Sequence, residues 1–314
     1  MRQPDMSMWH GRDDAVSEGP LAVRWHQAVR PLSDDSAPGY ALLGFPCDEG
    51  VKRNSGRPGA SHAPPTIRKL LGSLAWHISE PFYDAGDLSI NDMILEDAQN
   101  HLSDTVSALI KQNHMPLVLG GGHETAWGVF QGIKAEHKEK TLGIINLDAH
   151  FDLRRSTQAH SGTPFAQMAD WSKKHQSPFR YLCLGIADES NTRTLFQCAE
   201  HLGVTWLTDL QLARMNCDEL KLHIQPFMDS ADQLYLSIDL DVLPNWVMPA
   251  VSAPNGVGIS LTILFDIIRH IARSGKVIAA DIVEFNPAYD HNQCGARTTA
   301  RIAAHLIKHW QRPS

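Results

Sequence analysis

Six short apolar runs recur along the chain with longer helical patterns between them, and this alternation constrains the fold more than any other feature. The runs are YALLGFP (40–46), MPLVLGG (115–121), TLGIINLDAH (141–150), RYLCLGI (180–186), QLYLSIDLD (233–241) and KVIAADIVEFN (276–286). Helical periodicity separates them, most clearly in MILEDAQNHLSDTVSALIKQ (93–112) and SLTILFDIIRHIARSG (260–275). Strands that are apolar on both faces need cover on both faces, and strands that alternate with helices connect in parallel. The pattern therefore predicts an α/β fold, a mostly parallel sheet between two helical layers.

With 314 residues and no composition break, one large domain over 39–314 is expected, preceded by an arm over 1–38 that is richer in Pro, Asp and Ser. The 28 basic and 35 acidic side chains leave a net charge of −7, which creates no overall field for nucleic acid or an anionic membrane, so neither is expected as a partner. The five cysteines are odd in number, scattered and without a C-x-x-C pair, which argues for reduced thiols. The N-terminal MRQPDMSMWHGRDDAVSEG has polar residues where a secretion signal needs an apolar stretch, and nowhere do ~18 apolar residues run together. A cytoplasmic location follows as the expectation.

Open parallel sheets bind ligands beyond the carboxyl ends of their strands. There the sequence concentrates its unusual residues: His123 after MPLVLGGG; Asp148, His150 and Asp152 after LGIINL; Asp239 and Asp241 after LYLSI; Glu284 after AADIV. Asp148, His150 and Asp152 stand at i, i+2 and i+4, as do Asp239 and Asp241 at i and i+2, a spacing that sends side chains of extended backbone to one face. Four carboxylates and two imidazoles at a dry strand end repel or go unsatisfied without cations. This oxygen-rich set without thiolate suits Mn2+ better than structural Zn2+, with Fe2+, Co2+ and Ni2+ as alternatives, and six ligands fit two ions ~3.5 Å apart better than one. The Gly120–Gly122 run lacks the Lys-Ser/Thr of a phosphate loop and reads as glycines that let backbone approach closely.

Together GGGHE (120–124), DAHFD (148–152), SIDLD (237–241) and EFNP (284–287), in that order, resemble the motifs of the ureohydrolase family, which includes arginases and agmatinases. The resemblance implies a three-layer α/β/α sandwich, trimers or hexamers, and two Mn2+ per subunit. It implies that His123, Asp148, Asp152 and Asp239 hold one ion, that Asp148, His150, Asp239 and Asp241 hold the other, and that a hydroxide bridging the ions attacks a guanidinium or amidine carbon. Glu284 would pair with the cationic nitrogens of the substrate, the alternative being a surface ion pair. Asp152 and His160 are the further catalytic candidates. Ser161 stands where arginases carry the His of an H-G pair, with His160 one place earlier, either as a proton shuttle or as a solvated loop histidine.

Where arginases have a short polar Asn, two places after the last aspartate of D-A-H-x-D, this chain has Arg154, followed by Arg155. Two guanidiniums there would repel a cationic tail and attract carboxylates, and Arg53 and Arg57 in the 48–68 loop would help. Within the family, VKRNSGRPGA, DAHFDLR, SGTPF (161–165) and SIDLDVLP with VSAPNGVG resemble the formimidoylglutamase branch. That resemblance implies hydrolysis of an acidic amidine, N-formimidoyl-L-glutamate, to glutamate and formamide in histidine catabolism. The competing readings are arginase, guanidinobutyrase or agmatinase, a binuclear phosphatase, and a non-catalytic metal-binding relative.

Overall fold

The computed structural model describes residues 4–313. One sheet contains β1 (Arg30–Pro31), β2 (Tyr40–Gly44), β3 (Phe82–Asp87), β4 (Met115–Leu119), β5 (Leu142–Leu147), β6 (Arg180–Ile186), β7 (Thr205–Thr208), β8 (Gln233–Asp239) and β9 (Val277–Val283). Their order across the sheet is β1-β3-β2-β4-β9-β8-β5-β6-β7, and every neighbouring pair is parallel. All six apolar runs are strands. The sequence pattern did not single out β1, β3 or β7: β1 has two residues, one of them Pro31, β7 has four, and β3 reads FYDAGD, with two acids and a glycine.

Alternate side chains of each strand feed two separate cores. Leu42, Leu117 and Leu119 pack with the helices Ala63–Gly72, Leu261–Ala272 and Cys294–His309 on one face. Ala41, Leu43 and Val118 pack with the helices Leu95–Lys111, Thr125–Glu136 and Pro164–Lys174 on the other. The result is the three-layer α/β/α sandwich. No helix among the described residues is long and apolar enough to cross a membrane.

Residues 1–3 and 314 lie outside the described residues, and the remainder of the 1–38 segment is built into one edge of the molecule. Trp25 is buried, β1 pairs with β3, and the Trp9 indole donates to Asp84 at 2.7 Å. Arg68 holds the same carboxylate from the other side through two bonds of 2.9 and 3.0 Å.

The strand order is what gathers the site. β4, β9, β8 and β5 are consecutive in the sheet, although their sequence positions span more than 160 residues. At ~4.8 Å per strand, the chain segments that leave these four strand ends start within roughly 15 Å of one another.

Candidate metal centre

Asp148 follows directly on β5, but extended alternation is not what groups the DAHFD residues. The chain leaves the strand at Leu147, and the turn closes when the His150 amide donates to Asp148 Oδ1 at 2.7 Å. Asp152 then adopts a left-handed backbone, φ 47°, that turns its side chain back toward the cluster. SIDLD works similarly: Asp239 ends β8 and caps a single helical turn, accepting from the Asp241 amide at 2.8 Å. The i, i+2 spacing thus serves carboxylate-capped turns rather than strand faces.

The six side chains converge. His123 Nδ1 lies 3.2 Å from Asp148, 3.1 Å from Asp152 and 3.0 Å from Asp239, and His150 Nδ1 lies 2.9 Å from Asp241 and 3.5 Å from Asp148. Two groups that could hold an ion result, His123 with Asp148 and Asp239, and His150 with Asp148 and Asp241, and Asp148 belongs to both. His123 Nδ1, although buried among three carboxylates, hydrogen bonds to none of them. An orphaned ring nitrogen facing convergent carboxylate oxygens is the donor arrangement a divalent cation fits, and no lysine or arginine among the described residues pairs with these four aspartates. Asn146 steadies the shared ligand by donating to Asp148 Oδ2 at 2.9 Å.

Glu284 sits beyond β9 in a left-handed conformation, φ 68°, a backbone state that costs a bulky side chain on the order of 1–3 kcal/mol and recurs where geometry serves function. Its amide donates to Gly121 O at 2.7 Å, and its Oε1 accepts from the His123 amide at 2.9 Å. Oε2 is buried without a partner. Burial, and then the charge of Glu124, push its pKa up to about 8. The glycine run supports this packing: a Cβ on Gly121 would lie 1.6 Å from Cys47 O, so the β4 and β2 loops approach backbone to backbone.

A cavity of about 200 Å³ opens beside the cluster, lined by His150, Asp152, Asp239, Asp241 and Glu284 together with Arg154, Asn54, Ser161 and Ser252. Of the four arginines expected there, Arg154 alone lines it. Arg53 pairs with Glu96 at 2.7 Å and Glu49 at 3.3 Å. Arg57 donates to carbonyls of Pro249, Val251 and Ser252 and stacks over Tyr289, and Arg155 pairs with exposed Asp170. His160 is not among the lining side chains; its Nδ1 accepts from the Gly162 amide at 3.1 Å and closes a tight turn. Asn54 and Ser252 had no signal beyond their place in strand-end loops.

The arginase family matches residues 38–310. A formimidoylglutamase of Chromobacterium violaceum is 49% identical over 308 residues, 98% of this chain and 99% of that protein. Among solved structures, the Bacillus subtilis formimidoylglutamase superposes with a TM-score of 0.83 at 26% identity over 92% of both chains. A variant of Trypanosoma cruzi formiminoglutamase, solved with Mn2+, superposes at 0.78 with 25% identity over 88% of this chain and 94% of that one.

The buried acids set a pH dependence. Without a cation, burial raises Asp241 to about 6 and Glu284 to about 8, and Asp239 is also pushed up by burial. A group whose folded pKa exceeds its unfolded value contributes full stability below the unfolded pKa and loses it as pH climbs through the folded one. The cation-free protein should therefore lose Tm between roughly pH 4 and pH 8, and a divalent cation, which displaces these protons, should raise Tm more at pH 8 than at pH 5. Calorimetry at both pH values checks this; an equal cation effect at the two would contradict it.

Proposed function

Because the chain belongs to the arginase family, we propose that it hydrolyses the amidine C–N bond of N-formimidoyl-L-glutamate, releasing L-glutamate and formamide, with two Mn2+ per subunit. The observation that carries this reading is the lining of the cavity, which brings Glu284 and the aspartate cluster together with one guanidinium, that of Arg154. A substrate with an amidinium for Glu284 and carboxylates for Arg154 matches both charges, whereas agmatine is cationic at both ends and offers Arg154 no anion. The names of the relatives point to the same substrate, and the Mn2+ of the Trypanosoma cruzi structure supports the metal.

His123, Asp148, Asp152 and Asp239 would hold one ion, and Asp148, His150, Asp239 and Asp241 the other, in keeping with the membership of Asp148 in both groups. When bound, the pair supplies water activated for attack near neutral pH. Glu284 binds the amidinium with its free Oε2 while Oε1 stays on the His123 amide, and so aims the substrate carbon at the metal site. Asp152, whose side chain is 13% exposed and the most open of the four aspartates, takes a proton from the attacking water and passes it to the departing glutamyl nitrogen. Arg154 anchors the substrate carboxylates, with Asn54, Ser161 and Ser252 as neutral donors beside it.

This activity places the protein in histidine catabolism. The reading extends to one catalytic domain over 39–314, to a cytoplasmic location, which the five unpaired cysteines support, and to a trimer or hexamer, which rests on the family resemblance.

Three results test the assignment. Glu284→Gln keeps shape and loses charge, and should lower kcat ten- to a thousandfold, about 1.4–4 kcal/mol in the barrier, with metal content unchanged. Near wild-type kcat/KM would remove Glu284 from substrate binding. Offered formimidoylglutamate, arginine, agmatine and 4-guanidinobutyrate with Mn2+, the wild type should release formamide from the first far faster than urea from the others. Arg154→Glu should cut kcat/KM for formimidoylglutamate by well over tenfold, while any trace activity on agmatine holds or rises. Faster urea release from arginine would overturn the substrate assignment.

A further inference from the structure

The imidazole of His123 is held from behind by a buried chain of hydrogen bonds. Its Nε2 lies 2.9 Å from Ser237 Oγ, Ser237 Oγ lies 2.7 Å from Asp281 Oδ1, and the Tyr235 hydroxyl bonds Asp281 Oδ2. Tyr235, Ser237 and Asp281 are all 0% exposed. The parallel register of β8 and β9 sets Ser237 directly against Asp281, with Tyr235 two residues earlier on the same face of β8.

Counting protons fixes the direction of this chain. A carboxylate only accepts, and each hydroxyl has one proton to give. Tyr235 and Ser237 both spend theirs on Asp281, so Ser237 has only a lone pair left for His123. Nε2 must therefore carry a proton, and Nδ1, which faces Asp148, Asp152 and Asp239, is the nitrogen left to give its lone pair to a cation. His150 differs: its side chain is 23% exposed, and no hydrogen bond of this kind backs it among the described residues.

We propose that Ser237 and Asp281 are positioning residues that lock His123 in the Nε2–H tautomer and so make the His123 side the tighter of the two cation positions. The inference rests on the reading that His123 ligates a cation. Ligand histidines whose second nitrogen donates to a fixed acceptor are held in orientation and tautomer, and loss of that acceptor commonly costs 10–100-fold in metal affinity.

The test is a Mn2+ titration against a competing chelator at fixed pH, on wild type, Ser237→Ala, Ser237→Cys and Asp281→Asn. Ser237→Cys keeps the volume, offers only a weak acceptor, and serves if the alanine variant does not fold. Ile267→Ala, in the remote core of the helix Leu261–Ala272, controls for loss of stability alone. Wild type should take up two ions per chain. In the Ser237 variants the tighter event should weaken at least tenfold and the weaker one less than twofold, while Ile267→Ala lowers Tm and leaves both unchanged. Nitrogen-15 NMR should find Nε2 of His123 protonated, with and without a diamagnetic divalent cation. Equal weakening of both events, unchanged affinities, or an unprotonated Nε2 would each overturn the inference. Absence of Mn2+ uptake by wild type would overturn it together with the functional reading, whereas two normal events in every variant would overturn this inference alone.

Discussion

Four aspartates that cannot escape one another govern this structure. Asp148, Asp152, Asp239 and Asp241 meet at the carboxyl ends of neighbouring strands, around two imidazoles and without a paired lysine or arginine among the described residues. Left to themselves they would separate or take up protons: burial first, and then the neighbouring aspartates, push Asp239 up, and burial pushes Asp241 up against the opposing charge of His150. The sandwich holds them regardless, because the strands that deliver them are interior strands with a core on each face.

Rigidity then passes outward from the cluster. Asp148 and Asp239 close turns on the amides of His150 and Asp241, the His123 amide holds Glu284, and the Glu284 amide bonds Gly121. Asp148, Asp239 and Glu284 are thereby each tied to the backbone of a strand-end turn. The left-handed backbone at Glu284 is a local cost that its bonds to Gly121 and the His123 amide offset.

The metal-ligand candidates were legible because of a positional rule: parallel strands deliver chemistry at their carboxyl ends, and carboxylates with histidines right after apolar runs stand out. Local geometry was less legible. The DAHFD spacing looks like strand alternation but is realised as capped turns, since β5 stops one residue earlier. Arginine roles were least legible. Sequence shows that Arg57 lies in a strand-end loop, but not that carbonyls of Pro249, Val251 and Ser252, more than 190 positions away, hold its guanidinium; Arg53 and Arg155 are likewise taken up by acids elsewhere. Asn54 and Ser252 are ordinary polar residues until folding brings them to the lining of one cavity. The Ser237–Asp281 contact depends on the register of β8 against β9, which no local pattern encodes.

Anomalous diffraction from crystals soaked in Mn2+ tests the central claim most directly. Two peaks ~3.5 Å apart are predicted, one beside His123 Nδ1 and the other beside His150 Nδ1, with Asp148 between them. A single peak, or ions bound away from Asp148 and Asp239, would contradict the account.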